Sequence, residues 1–127
     1  MDFSNYLADK LIDATVRNTP YDTPDKVWIA LYTTDPTKLD VGVEVREPSY
    51  NRQEVVMSFP ADGKSENSAQ IDFAEATSNW GWITHIGIRD QAYDGNLLYF
   101  TAIGDSKNIL TGDQFKVLTD KLKLTLT

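Results

Sequence analysis

The chain has 127 residues and no cysteine, so it has the length of one domain, 1–127, and holds neither a disulfide nor a thiolate metal site. Its 12 Lys and Arg residues stand against 19 Asp and Glu residues, which gives a formal net charge of -7 and argues against nucleic acid as a partner. No apolar run approaches the roughly 18 residues of a membrane span, and the first residues lack a signal-peptide pattern, so we expect no membrane partner and synthesis in the cytoplasm.

An amphipathic helix is predicted for residues 4–17. Apolar side chains recur there at spacings of four, four and three with charged residues between them: Phe3, Leu7, Leu11 and Ala14. Ser4 is placed to cap the first turn, and Pro20 restricts the residue before it, which ends the helix.

A central strand is predicted for residues 27–32, because this run is apolar on both of its alternating faces. Such a strand is covered on both sides. One cover is the core of the domain, and the other is either the N-terminal helix or a neighbouring subunit.

A long loop is predicted for residues 34–51, which are polar and interrupted by prolines, with at most an edge hairpin near 41–45. Loops of this length in compact domains are commonly functional. Four acidic residues make this loop a candidate for contact with another protein: Asp35, Asp40, Glu44 and Glu47. The alternative is a solvated loop with no partner.

The rest of the chain alternates between apolar and polar residues, which predicts strands near 55–59, 69–73, 82–89, 97–102, 115–118 and 121–126. Asp62-Gly63 and Asp94-Gly95 are turn sequences, and the second of them joins a hairpin. The last strand is expected to bury three alternating leucines: Leu122, Leu124 and Leu126.

Together these patterns predict a mainly β fold, an antiparallel β-sandwich of jelly-roll or Ig-like type with about seven strands over residues 27–127. One amphipathic helix precedes it. The connections are antiparallel because no helical crossover intervenes after residue 20.

No catalytic constellation emerges from the sequence. His85 is the only histidine, so a histidine metal cluster is excluded, and a structural, hydrogen-bonded His85 is favoured. Asp72 and Glu75 form the best carboxylate pair, but alternation directs Asp72 to solvent, where it is poorly placed for catalysis. We therefore expect no enzyme activity, catalytic residue, cofactor or metal.

Two tryptophans flank Gly81. In an extended segment Trp80 and Trp82 lie on the same side, where they form a core pair, a protein contact or a platform for sugar rings. The core pair is the favoured interpretation. Both residues stay candidates for protein contact.

The order of features along the chain resembles a family of small tailed-bacteriophage virion proteins that are labelled as tail fibre proteins. The resemblance rests on these segments: 3–7, 27–36, 50–53, 67–73, 80–88, 95–99 and the alternating leucines at the C-terminal end. These segments are strand and turn signatures. The resemblance therefore implies a structural component located in the virion, and it transfers no active site.

A compact domain of this length has a radius of gyration of about 14 Å, whereas a fibre needs an extended shaft or a repeating segment. We therefore expect a capsid decoration or cement protein, a homo-oligomer that binds the major capsid protein or other virion proteins through loop 34–51 and the helix. The alternatives are a tail fibre or baseplate accessory protein and a glycan-binding receptor module.

Overall fold

The computed structural model describes residues 1–126, which form one helix and nine strands. The elements are β1 (Asp2–Phe3), α1 (Asn5–Val16), β2 (Val27–Tyr32), β3 (Gln53–Val55), β4 (Lys64–Glu66), β5 (Ile71–Asp72), β6 (Gly81–Arg89), β7 (Leu97–Ile109), β8 (Lys116–Val117) and β9 (Lys123–Thr125). The helix is far too short and polar to cross a membrane, and the described residues contain no other.

A five-stranded antiparallel sheet organises the fold, in the order β1-β7-β6-β2-β3. Strand β2 lies inside this sheet, between β6 and β3, with Ile29 opposite Ile88 and Leu31 opposite Ile86. Its last four residues are buried, as the doubly apolar run predicted. The strand bounds 27–32 are confirmed.

The main core lies between one face of this sheet and a second layer made of two short ribbons, β4 with β9 and β5 with β8. Apolar side chains from both layers meet there: Ile29, Leu31, Ile86 and Ile88 from the sheet, and Ile71, Phe73, Phe115, Val117 and Leu122 from the second layer and its flanks. Phe73 packs edge-on against Phe115, with 5.8 Å between ring centroids.

Helix α1 lies against β7. The hydroxyl oxygen of Ser4 accepts a hydrogen bond from the backbone of Leu7 at 3.1 Å, which confirms the predicted N-cap. On the face of β2 away from the main core, Ala30 and Tyr32 pack with Leu97 and Phe100 of β7. Ala30 and Tyr32 are 0% and 1% exposed, so the cover of this face of β2 comes from within the chain.

Strand β7 bulges where it pairs with β6. His85 faces Ala102 and Ile83 faces Lys107, so two steps along β6 correspond to five along β7. The three extra residues of β7 leave the ladder, and residues 104–108 are exposed.

The predicted mainly β, antiparallel architecture with one N-terminal helix is confirmed, with a second layer that is split into two ribbons instead of forming one continuous sheet. Two local predictions are wrong. Leu122 is buried, but Leu126 is 46% exposed and Leu124 only half-buried, because β9 pairs only with the three-residue β4. The strand predicted near 55–59 is instead Gln53–Val55, and Phe59 is 98% exposed because the chain leaves the sheet after Val55.

Candidate protein-contact site

Loop 34–51, called the anchored loop below, contains a segment, 39–44, in which two acidic side chains bind arginines and three apolar side chains face solvent. Leu39, Val41 and Val43 are 71%, 63% and 55% exposed and form what we call the apolar crest. Asp40 and Glu44, which alternate with them along the chain, bind buried arginines. This arrangement reverses the usual one, in which apolar residues face the core.

The first anchor is Arg89, the last residue of β6, which is 7% exposed. Its two terminal nitrogens donate to the two carboxylate oxygens of Asp40 at 2.7 and 3.0 Å. The same guanidinium also donates to the Tyr32 hydroxyl at 2.9 Å and to the Gly95 carbonyl at 2.9 Å. Arg89 thus ties the anchored loop to the β6–β7 turn by a bidentate, charge-assisted contact.

The second anchor is Arg52, which also binds its carboxylate partner, Glu44, in a bidentate manner. Its Nε and Nη2 donate to Glu44 at 2.9 and 2.8 Å, and its Nη1 donates to the carbonyls of Gln91 and Asp94 at 2.8 and 2.9 Å. Glu44 also accepts a hydrogen bond from the Tyr50 hydroxyl. The Arg52 side chain is 8% exposed, so solvent screens this pair weakly.

Burial and pairing keep the anchor groups in one protonation state. Burial opposes the charge of Arg89 and Arg52, but their hydrogen bonds to Asp40 and Glu44 raise the pKa of both guanidinium groups. Burial, together with the Glu44 carboxylate, raises the pKa of Tyr50 well above its usual range. Tyr50 is therefore a neutral hydrogen-bond donor at physiological pH.

A closed turn at residues 36–41 shapes the crest. The backbone N–H of Val41 donates to the Pro36 carbonyl at 2.7 Å, and Asp40 has a positive φ of 57°. The chain then crosses itself, because a Cβ added at Gly42 would lie 2.7 Å from the Cα of Pro36. Only glycine fits at this crossing.

Each of the four acidic candidates has a hydrogen-bond partner within the chain. Asp40 and Glu44 point into the anchors, with side chains 34% and 20% exposed, and their role as protein contacts stays a prediction. Asp35 accepts from the Thr37 backbone at 2.9 Å and lies 3.8 Å from His85 Nε2. Glu47 accepts from the Ser78 hydroxyl at 3.0 Å.

The two tryptophans do not share a side of the chain, contrary to the prediction. Gly81 has a φ of 88°, which breaks the extended alternation between them. Trp80 is 4% exposed, lies edge-on to Tyr50 at 5.5 Å and donates from its indole nitrogen to Ser49 at 3.2 Å. Trp80 is therefore a core residue, whereas Trp82 is 58% exposed and stays available for contact.

The remaining titratable candidates, His85 and Asp72, have different hydrogen-bond partners. His85 shares a hydrogen bond of 2.8 Å with the Thr84 hydroxyl, and Asp72 accepts from Gln70 at 2.8 Å. Among residues 1–126, no three His, Asp or Glu side chains converge as a metal site would require.

Sequence reasoning overlooked Arg52, Arg89 and the crest. The strict alternation of residues 39–44 was the available signal, because it separates an acidic face from an apolar face. Arg89 at the end of a predicted strand and Arg52 just after the loop are the counter-charges that allow the acidic face to turn inward.

Residues 2–125 match the model of a protein family described as "Podophage GP4 fiber I protein gp80". No curated protein matches the chain.

Proposed function

This chain belongs to the podophage GP4 fiber I protein gp80 family, and on that basis we propose that it is a non-enzymatic structural subunit that binds a neighbouring virion protein through its apolar crest. Membership in a phage fibre family makes the chain a structural component of the virion. The crest is the single observation that carries the contact proposal.

Three neighbouring apolar side chains on one exposed loop favour association, because burying them against a partner removes apolar surface from water. The anchors lower the cost of this association. A loop that is already held by Arg52 and Arg89 loses little conformational entropy on binding.

The proposal is tested by replacing Leu39, Val41 and Val43 together with serine and measuring how much of the protein is incorporated into phage particles. We expect incorporation to fall at least about tenfold, since apolar anchor residues carry most interface energy. A matched control replaces three exposed apolar residues elsewhere, Val56, Phe59 and Leu110, with serine. Equal incorporation of both triple variants would exclude the crest as the contact.

The location in the particle separates two forms of this proposal. The family description favours a subunit of the fibre apparatus. A capsid decoration role is favoured by the compact core, since residues 1–126 include neither a coiled coil nor a repeating β-segment from which a shaft is built. Quantitative mass spectrometry of purified virions distinguishes them: a copy number near that of the major capsid protein supports decoration, and a few copies support the fibre apparatus.

A further inference from the structure

A cleft of about 440 Å³ opens beside the β7 bulge, far along the sequence from the anchored loop. Its floor is apolar and formed by core residues that include Ile86, Phe115 and Leu122. Four exposed lysines line it: Lys107, Lys116, Lys121 and Lys123.

The charge of this cleft is opposite to that of the whole molecule. Four of the 12 basic residues of a chain with net charge -7 line it, and no acidic side chain does. Lys123 pairs with Glu66 at 3.5 Å, but it stays 68% exposed. Within residues 1–126 the other three lysines form no ion pair, although Asp72 is the strand partner of Lys116. The cleft therefore suits an acidic ligand that also has apolar side chains.

Helix α1 presents a surface of that kind. Ile12 and Val16 are 54% and 76% exposed, one turn apart, and Asp9 and Asp13 lie on the same side of the helix. Asp13 pairs with Arg17 at 3.1 Å, and this pair is exposed. Residues 9–16 span about 10 Å along the helix axis, and we call these four side chains the acidic stripe.

We propose that copies of this chain associate head to tail, with the acidic stripe of one copy seated in the lysine-lined cleft of the next. The helix supplies apolar anchors to the floor of the cleft, and its two carboxylates face the lysines. The stripe and the cleft are different surfaces, so the contact is heterologous and repeats into a ring or an open chain. The apolar crest takes no part, so this inference stands apart from the proposed function.

Charge reversal tests the proposal, with sedimentation velocity over a range of concentrations as the readout. One variant reverses the cleft, Lys107→Glu with Lys121→Glu, and a second reverses the stripe, Asp9→Lys with Asp13→Lys. We expect the wild-type chain to self-associate and each variant to weaken this association at least about 100-fold, because like charges then face each other. The control, Lys26→Glu with Lys64→Glu, changes net charge as much as the cleft variant and should associate like wild type.

Mixing supplies the decisive measurement. The acidic stripe of the cleft variant fits the unchanged cleft of the stripe variant, and the reversed surfaces fit each other, so an equimolar mixture should associate again. The same holds for one chain carrying all four changes. The proposal is overturned by a wild-type chain that is monomeric at every concentration, by association that neither variant weakens, or by a mixture that stays monomeric.

Discussion

Strand β2 and the anchored loop are consecutive along the chain, yet different forces hold them in place. Ile29, Ala30 and Leu31 are fully buried among apolar side chains. The loop that follows is held by two guanidinium groups that bind Asp40 and Glu44. Apolar burial therefore stabilises the sheet, while ion pairs set the shape of the surface attached to it. The stability of the sheet and the shape of the loop can therefore be changed separately by mutation.

The largest loss of stability is expected from a substitution in the apolar core around β2. Leu31→Ala removes a fully buried side chain and leaves a cavity, so we expect the free energy of unfolding to fall by about 3 to 5 kcal/mol. Urea denaturation measures the change. Leu39→Ala is the matched control, since this leucine is 71% exposed, and its effect should stay within about 0.5 kcal/mol. Similar losses in both variants would contradict the assigned burial.

A smaller effect is expected from breaking an anchor. Arg89→Met leaves Asp40 without its partner and the Gly95 carbonyl without a donor, which should cost about 2 to 3 kcal/mol. The cost lies below that of a fully buried pair because the Asp40 side chain is 34% exposed.

The location of this effect is as informative as its size. Amide hydrogen exchange in Arg89→Met should accelerate at residues 36–45 more than in β2. Arg46→Met is the control, because Arg46 is an exposed arginine of the same loop. Unchanged exchange in the loop would show that Arg89 does not anchor it.

The smallest effect concerns Tyr50. Its hydroxyl accepts from the Leu31 backbone at 3.0 Å and donates to Glu44, so Tyr50→Phe should cost about 1 kcal/mol at neutral pH. Because burial raises its pKa in the folded state above the ordinary value of 10.0, its contribution is present below pH 10.0 and is lost as the pH rises above it.

Alkaline denaturation checks this sign. The stability of the wild-type chain should fall above pH 10.0 more steeply than that of Tyr50→Phe, which has no phenol to ionise at this position. The difference between the two proteins isolates Tyr50 from the lysines that titrate in the same range. Parallel curves would show that Tyr50 ionises as readily in the folded state as in the unfolded state.

Much of the framework was predictable from local patterns. The doubly apolar run predicted the bounds of β2, and Ser4 predicted the N-cap of α1. The sequences Asp62-Gly63 and Asp94-Gly95 predicted turns, and these residues have positive φ angles. In each case a residue type and its immediate neighbours determine the conformation.

The site depended on interactions that alternation alone does not encode. The pattern of residues 39–44 defines two faces, but only the positions of Arg52 and Arg89 decide that the acidic face turns inward. Likewise, the positive φ of Gly81 places Trp80 and Trp82 on different sides of the chain. The φ of a glycine in a strand-like sequence cannot be predicted from that sequence.

Because the ends of turn 36–41 touch, the chain can be divided inside it without moving the ends apart. Trypsin has an exposed target there in Lys38. A cut after Lys38 leaves β1, α1 and β2 on one fragment and β3 to β9 on the other, and the ladders of β1 with β7 and of β2 with β3 and β6 hold the two together. We therefore expect a nicked molecule to keep its native size until denaturant separates the two fragments.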